Sequence, residues 1–254
     1  MSTIPGSDFD VIKSDTTHKI TPNKLYELFL KTSFAMANQD WRHYLNGCLF
    51  EKTGSSINMV ATDAHRLAIY KSNLEGEGDF TGIVPRKTVI ELMKILPKQE
   101  DEIEFYINSN NIVFMSKKFT FKSKLIDGNY PNYNQVVPQG EGSKITFNRK
   151  NMLDSLSRVS VLTSEKFKGV KLKTESGVLD ISAHNPDQES AEEKLDVTSA
   201  GNEFDIAFNV NYLKEVLGTI DEEEISLISF GSDKSALVES GDSNQVLVLM
   251  PLLL

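Results

Sequence analysis

The sequence has little of what disulfide-bonded, metal-binding or membrane-spanning proteins need. Its 254 residues include one cysteine, Cys48, so neither an intramolecular disulfide nor a multi-cysteine zinc site can form. The four histidines show no metal-ligand spacing, and we therefore expect no metal and no other cofactor. No apolar run is long enough to cross a bilayer and no secretory signal peptide is recognisable, which favours a reducing cytoplasm.

Sequence signatures of catalysis are also lacking. The stretch 140–144 lacks the spacing of a phosphate-binding loop, and no hydrolase elbow is present. Asp63 and His65 stand two residues apart, between two segments of strand-like composition, so an extended chain would place them on one face. Without a nucleophile, this spacing predicts a hydrogen-bonded structural pair. An acid–base pair is the alternative, and the sequence as a whole predicts a protein that is not an enzyme.

The length and the charge of the chain are informative in another way. A chain of 254 residues suits two domains of ordinary size. The net charge is −9, which taken alone argues against a nucleic-acid-binding protein. The charge is sorted along the chain, however, because 144–173 contains eight basic residues and 175–205 contains nine carboxylates. These segments are either ordinary solvated faces or a basic and an acidic patch.

A repeat of roughly 125 residues organises the chain. The segments 20–24 and 145–149 each begin with Ile-Thr and lead into an apolar pattern typical of a helix, where Asn23 and Asn148 are the predicted N-caps. A second helix is predicted in each copy, after 83–87 and after 207–210. Short strand-like runs fill the gaps, at 44–50, 57–61, 67–70, 103–107, 112–115 and 119–124. The pattern predicts an α+β fold of two tandem copies, each with two helices packed on antiparallel sheets.

Several motifs along the chain together resemble one family. They are Asp-Trp-Arg-His-Tyr-Leu-Asn-Gly at 40–47, Thr-Asp-Ala-His-Arg-Leu at 62–67, Val-Pro-Arg-Lys at 84–87, Leu-Ile-Asp-Gly at 125–128, Glu-Lys-Phe-Lys-Gly-Val at 165–170, Asn-Pro at 185–186, Phe-Asn-Val at 208–210 and Met-Pro at 250–251. In this order they resemble the bacterial replicative sliding clamp, the beta subunit of DNA polymerase III.

The resemblance implies a division of the chain. A subunit of that family contains three such domains in series, and the two copies in this chain resemble the second and the third. The expected division is a remnant of a preceding domain or a linker at 1–18, a clamp domain at 19–126, a connector at 127–143 and a second clamp domain at 144–254. The fold that this resemblance implies is the DNA clamp fold.

The resemblance further implies a processivity factor whose ring encircles duplex DNA and tethers polymerase. The expected partners are duplex DNA, contacted without regard to sequence, the DNA polymerase III alpha subunit, the clamp loader and other proteins that carry clamp-binding peptides. The residues expected to contact DNA are Lys24, Arg42, His43, Arg86, Lys87, Arg149, Lys150, Lys166, Phe167 and Lys168. Lys31, Lys94 and Arg158 are further basic candidates on the predicted helices.

A peptide-binding pocket is the second implied site. Its expected residues are Tyr44, Leu45, Thr62, Ala64, His65, Arg66, Leu67, Pro131, Val136, Asn209, Tyr212, Met250, Pro251 and Leu252. Ala64 stands where the family often has glycine. An alternative to the full function is a truncated clamp that binds partner peptides without closing a ring on DNA. For self-association we expect mostly monomer, with a head-to-tail trimer as the alternative.

Overall fold

A computed structural model describes residues 16–163, 168–175, 177–187, 189–200 and 205–252 of the chain. We call the two repeats the first copy and the second copy. The first copy contains β1 (His18–Ile20), α1 (Pro22–Leu30), β2 (Gly47–Thr53), β3 (Ser56–Thr62), β4 (Arg66–Asn73), β5 (Phe80–Pro85), α2 (Arg86–Ile95), β6 (Ile103–Ile107), β7 (Asn111–Met115) and β8 (Thr120–Lys124).

The second copy repeats this order with one added strand. It contains β9 (Ser143–Asn148), α3 (Arg149–Val159), β10 (Gly169–Glu175), β11 (Val178–His184), β12 (Ser190–Asp196), β13 (Thr198–Ala200), β14 (Asp205–Asn209), α4 (Val210–Gly218), β15 (Glu224–Ser229), β16 (Ala236–Glu239) and β17 (Gln245–Leu249). The predicted α+β class with two helices per copy is therefore confirmed. None of these helices is long and apolar enough to cross a membrane, as far as the described residues go.

The two copies share one sheet. Strands β1-β6-β7-β8 form a sheet in the first copy and β12-β11-β10-β14 form one in the second. The third sheet has nine strands in the order β13-β9-β15-β16-β17-β4-β3-β2-β5. Antiparallel pairing of β4 with β17 joins the copies within it, and this pairing places Leu67 beside Val248.

The nine-stranded sheet is covered differently on its two faces, because successive strand residues point to opposite sides. One face packs against all four helices in the main apolar core, which includes Leu28, Val89, Leu156 and Leu213. A smaller apolar cluster covers the opposite face and brings the connector onto it. Its buried members are Leu49, Val60, Leu67, Ile69, Ile83, Tyr133 and Val248. The helices and the connector therefore lie on opposite sides of the sheet.

The starts of the helices agree with the sequence analysis in one copy and differ in the other. Asn148 caps α3, where its side chain accepts a hydrogen bond from the Asn151 N–H. In the first copy the cap is Thr21, whose hydroxyl accepts from the Lys24 N–H, so the prediction that Asn23 caps this helix is wrong. The proline at position 22 explains the shift, since proline is favoured in the first turn and sets the start of the helix one residue after Thr21.

Most predicted strands are present with small changes in their bounds. The strand at Ile103–Ile107 has its predicted bounds. The predicted strand 44–50 is partly wrong, because His43–Leu45 form a short 3₁₀ turn and the strand begins at Gly47. That turn directs the side chains of Tyr44 and Leu45 to the end of the joint between the copies.

Candidate functional site

An apolar groove of about 340 Å³ lies at the joint between the two copies. It is lined by Arg42, Tyr44, Leu45, Thr62, Ala64, Arg66, Leu67, Pro131, Val136, Val248 and Met250. Nine of these were among the residues predicted for a peptide-binding pocket. The groove therefore draws on the 3₁₀ turn, the β3–β4 turn, the connector and the C-terminal strand.

The pairing of β4 with β17 builds the groove. Leu67 and Val248 are register partners, and both are buried on the connector side of the sheet. The Met250 N–H donates to the His65 carbonyl at 2.8 Å, which continues the pairing beyond the end of β17. Met250 is 37% exposed, so its side chain forms part of the open wall. A groove made this way exists only where both copies are joined.

Asp63 and His65 are hydrogen-bonded as predicted, but through the His65 backbone N–H, and their side chains do not pair with each other. These residues lie in the turn between β3 and β4, where the Asp63 carboxylate accepts from the backbone N–H groups of His65 and Arg66 at 2.9 and 3.1 Å. Ala64 has a φ of 74°, a left-handed conformation that disfavours large side chains. The expectation of an extended segment is wrong, because these two residues lie in a tight turn. Asp63 is a turn-capping residue.

Arg66 is the buried charged centre of the site. Its guanidinium contacts the Asp63 carboxylate at 3.2 Å and also bonds to Glu215 of α4. It lies 4.5 Å from the Tyr212 ring centroid and 5.4 Å from that of Phe34. Charge pairing and ring contacts thus fix its position. Because Arg66 lines the groove and reaches α4, it ties the two copies together beside the groove.

The connector supplies the opposite wall. Pro131 and Val136 line the groove from a segment that Tyr133 holds against the sheet. The Tyr133 hydroxyl bonds to the Glu51 carboxylate, and Asn58 donates to the same carboxylate at 3.2 Å. Burial, followed by the nearby Glu51 carboxylate, raises the pKa of Tyr133 to about 12. The phenol therefore stays protonated at neutral pH and continues to donate to Glu51.

A larger basin of about 800 Å³ adjoins the groove, and Arg66 lines both. His65 and Tyr212 lie in this basin, with their ring centroids 5.8 Å apart and nearly parallel. Burial raises the pKa of Tyr212. Two of the predicted peptide-binding residues therefore lie beside the groove and outside its lining.

The remaining predicted peptide-binding residues are Asn209, at the start of α4, and Pro251 and Leu252, at the end of the described chain. Asn209 caps α4 through hydrogen bonds from the N–H groups of Asn211 and Tyr212. Pro251 and Leu252 are half-buried, and the Leu252 N–H donates to the Ala207 carbonyl at 2.7 Å. These contacts make Asn209 a helix cap and attach the end of the described chain to β14.

Five of the ten residues predicted to contact DNA lie on the helix side of the molecule. Lys24, Arg86, Lys87, Arg149 and Lys150 lie on α1, α2 and α3, which cover one face of the nine-stranded sheet. Lys87 and Lys150 are exposed, and in the described parts of the chain neither has a carboxylate partner. Lysines of this kind are free to approach phosphates.

Other predicted basic residues are occupied or lie elsewhere. Lys31 is only 7% exposed and bonds to Asp221 and to the Thr219 carbonyl, so it is not available to DNA. Arg158 is paired with Glu193. Lys168 is half-buried at the end of the segment before β10, whereas Lys166 and Phe167 lie outside the described residues. Arg42 and His43 lie at the groove end of the loop 37–46.

Two residues of the groove were not predicted for it: Arg42, which was expected to contact DNA, and Val248, which was not predicted for any site. Val248 forms part of the floor, and its signal was its spacing of two from Met250 in a strand, which places both on one face. Cys48 is fully buried, and burial raises the pKa of its thiol to about 12, which leaves it unreactive at neutral pH. The described part of the chain contains no group of three or more metal-ligating side chains.

Family models match nearly the whole described chain. Residues 19–132 match the DNA polymerase III beta subunit, central domain, and residues 134–253 match the DNA polymerase III beta subunit, C-terminal domain. The beta sliding clamp of Pseudomonas aeruginosa is 38% identical over 258 residues, which are 99% of this chain and 70% of that protein. The beta sliding clamp of Escherichia coli K12 is 38% identical over 257 residues, with the same coverage.

Solved structures agree with this assignment. The crystal structure of the DNA polymerase III subunit beta from P. aeruginosa has a TM-score of 0.92 and 39% identity, and the match covers 100% of this chain and 71% of that one. The sliding clamp from Bartonella birtlesii, bound to griselimycin, also has a TM-score of 0.92, with 31% identity and coverage of 99% and 70%.

Proposed function

Because this chain belongs to the family of the DNA polymerase III beta subunit, the sliding clamp, we propose that it holds replication proteins on duplex DNA through the groove. The clamps of this family are processivity factors and not enzymes. The proposed partners are duplex DNA, the DNA polymerase III alpha subunit, the clamp loader and other proteins that carry clamp-binding peptides.

The groove at the joint is the observation that supports peptide binding. Leu45, Leu67 and Val248 offer an apolar floor that suits Leu or Phe anchors, each of which gains roughly 1.5–3 kcal/mol when fully buried. The flexible Met250 side chain adapts to different anchors, which suits a site that serves several partners. Polar groups at its edge, such as Thr62 and Arg42, then orient the bound segment.

Calorimetry tests this part of the proposal directly. We expect a synthetic peptide with a Gln residue followed by Leu and Phe anchors to bind the chain with a one-to-one stoichiometry. The clamps from P. aeruginosa and B. birtlesii are bound to griselimycin in solved structures, so griselimycin is a second probe. We expect griselimycin to compete with the peptide. Simultaneous binding of both ligands, or binding of neither, would contradict the proposed groove.

For DNA we propose sequence-independent electrostatic contact from the helix side. The excess of carboxylates then lies mainly on the other surfaces, whereas exposed cations such as Lys87 and Lys150 contact phosphates on the helix side. Contacts of this kind release counterions, so affinity falls steeply as salt rises and differs little between sequences. Binding of several unrelated duplexes, measured by fluorescence anisotropy at several salt concentrations, checks both features.

Encirclement of DNA depends on assembly. A closed ring made from chains with two copies needs a head-to-tail contact between chains. We propose that the chain is mostly monomeric at micromolar concentration, with a weak trimer as the alternative, and light scattering measures the mass directly. Retention on nicked circular DNA with release after linearisation would identify a ring. A chain that binds peptides but is not retained is a partner-binding module.

A further inference from the structure

A polar pocket of about 440 Å³ adjoins the apolar groove, and Pro131 of the connector lines both. The pocket lies between the connector and β5, which is the last strand at one edge of the nine-stranded sheet. Its lining includes two carboxylates, Glu51 and Asp127, and it includes no lysine, arginine or histidine. The pocket therefore carries negative charge that no group in its own lining balances.

Glu51 has one carboxylate oxygen to spare. Its half-buried side chain stands on β2, where Tyr133 and Asn58 both donate to Oε1 and neither donates to Oε2. Within the described ranges of the chain, neither Glu51 nor Asp127 forms an ion pair. A carboxylate that is partly removed from water regains favourable contacts when a cationic donor forms a charge-assisted hydrogen bond with it.

The walls around the two carboxylates suit a long cationic side chain. Tyr130, Tyr133 and Leu49 line the pocket and offer apolar surface to the stem of such a side chain. Tyrosine rings also attract a planar guanidinium, which is better suited to stacking than an ammonium is. A metal ion fits less well, because among the described residues no third carboxylate, imidazole or thiol joins the two carboxylates. The chemistry of the pocket therefore favours arginine.

The wall shared with the groove indicates which molecule supplies the arginine. A segment whose anchors fill the groove lies against Pro131, so its flanking residues are next to the pocket. We propose that the pocket receives an arginine side chain that flanks the anchors of the partner segment, with its guanidinium on Glu51 Oε2 and Asp127 nearby.

This inference deepens the proposed peptide binding, on which it rests. The groove accepts apolar anchors, which several partners can share. The pocket then discriminates between segments with the same anchors by the charge of a flanking residue, since an arginine gains a partner there and a carboxylate is repelled.

Paired peptides test this discrimination. Each carries Gln followed by Leu and Phe anchors, with one arginine placed at increasing distances beyond the anchors at either end. The matched peptide has citrulline in place of arginine, which keeps the shape of the side chain and lacks its charge. Calorimetry gives the ratio of the citrulline Kd to the arginine Kd. We expect a ratio of about ten, equivalent to ~1.4 kcal/mol, at one end and over a narrow range of distances.

Variants of the chain locate the effect. Glu51→Gln keeps an acceptor for Tyr133 and Asn58 and should bring the ratio close to unity. Asp127→Asn, at an exposed residue where folding is not at risk, should lower the ratio about twofold. Glu223→Gln, at an exposed glutamate of the second copy outside the pocket, is the matched control and should leave the ratio unchanged. Circular dichroism verifies that the variants fold.

Three results would overturn the arginine site. They are a ratio near unity for every placement of the arginine, an unchanged ratio in both Glu51→Gln and Asp127→Asn, or an equal loss in Glu223→Gln, which would show only a general attraction to an acidic protein. If neither kind of peptide binds, the proposed groove fails as well. If the citrulline peptides bind and arginine adds nothing, the groove stands and only the arginine site fails.

Discussion

The substitution Met250→Ala tests how much the groove wall contributes to peptide binding, separately from the apolar core beneath the groove. Met250 is 37% exposed in the free protein, and full burial of a methionine side chain is worth roughly 1.5–3 kcal/mol. A peptide that covers the exposed third therefore gains roughly 0.6–1.1 kcal/mol from it. The peptide anchor that packs on Met250 loses a similar contact area. Together these losses predict that Met250→Ala raises the Kd of the anchor peptide about tenfold.

The stability of this variant should fall by less than that of a core truncation, by roughly 0.9–1.9 kcal/mol, because about two thirds of the Met250 side chain is already buried. The Met250 backbone N–H still donates to the His65 carbonyl, so the pairing of the two copies remains. Leu67→Ala is the contrasting variant, because Leu67 is 2% exposed in the core under the groove, and we expect it to lose about 2–5 kcal/mol of stability. Calorimetry with the peptide and urea unfolding measure the two effects. An unchanged Kd in Met250→Ala would refute the assignment of the wall.

Three further predictions concern other residues. His65→Gln removes the ring that stacks on Tyr212 and should lower the affinity for the anchor peptide measured by calorimetry. No catalytic rate should depend on His65. Lys150→Ala and Lys168→Ala should lower affinity for all duplexes alike and reduce the log–log salt slope by about one unit per lost phosphate contact, and a change in sequence preference in anisotropy titrations would count against this. Burial, with Lys52 adding to it, lowers the pKa of His18 below 6.5, so its contribution to stability is fully present above about pH 6.5 and is lost as the pH falls through the folded-state pKa. His18→Phe should therefore flatten the fall in urea-unfolding stability below pH 6.5, and an unchanged pH profile would contradict this account.

The local patterns of the sequence predicted most of the secondary structure. The apolar spacing of Leu25, Leu28 and Phe29 identified a helix, and the alternation in Ile103–Ile107 identified a strand with its observed bounds. Both signals depend only on near neighbours in the chain, which is why they can be read from one sequence. The repeat of roughly 125 residues then predicted that the chain contains two copies of one α+β fold.

What could not be predicted depends on turns and on distant contacts. Asp63 caps a turn because Ala64 adopts a positive φ, and strand-like residues on both sides concealed that turn. The contribution of Val248 depends on the pairing of β4 with β17, nearly two hundred residues apart in sequence. Composition alone likewise did not show that Lys31 is buried against Asp221. The resemblance to the family identified most of the groove residues, which hydrophobic periodicity alone does not reveal.

The central claim is that the joint between the two copies binds the anchor segments of partner proteins. A crystal structure of the chain with a peptide of the Gln-Leu-Phe type tests this most directly. We expect Leu and Phe anchors in contact with Leu45, Leu67 and Met250, with the segment crossing from the β3–β4 turn to the connector. A peptide bound at a different surface, with this groove empty at saturating concentration, would contradict the claim.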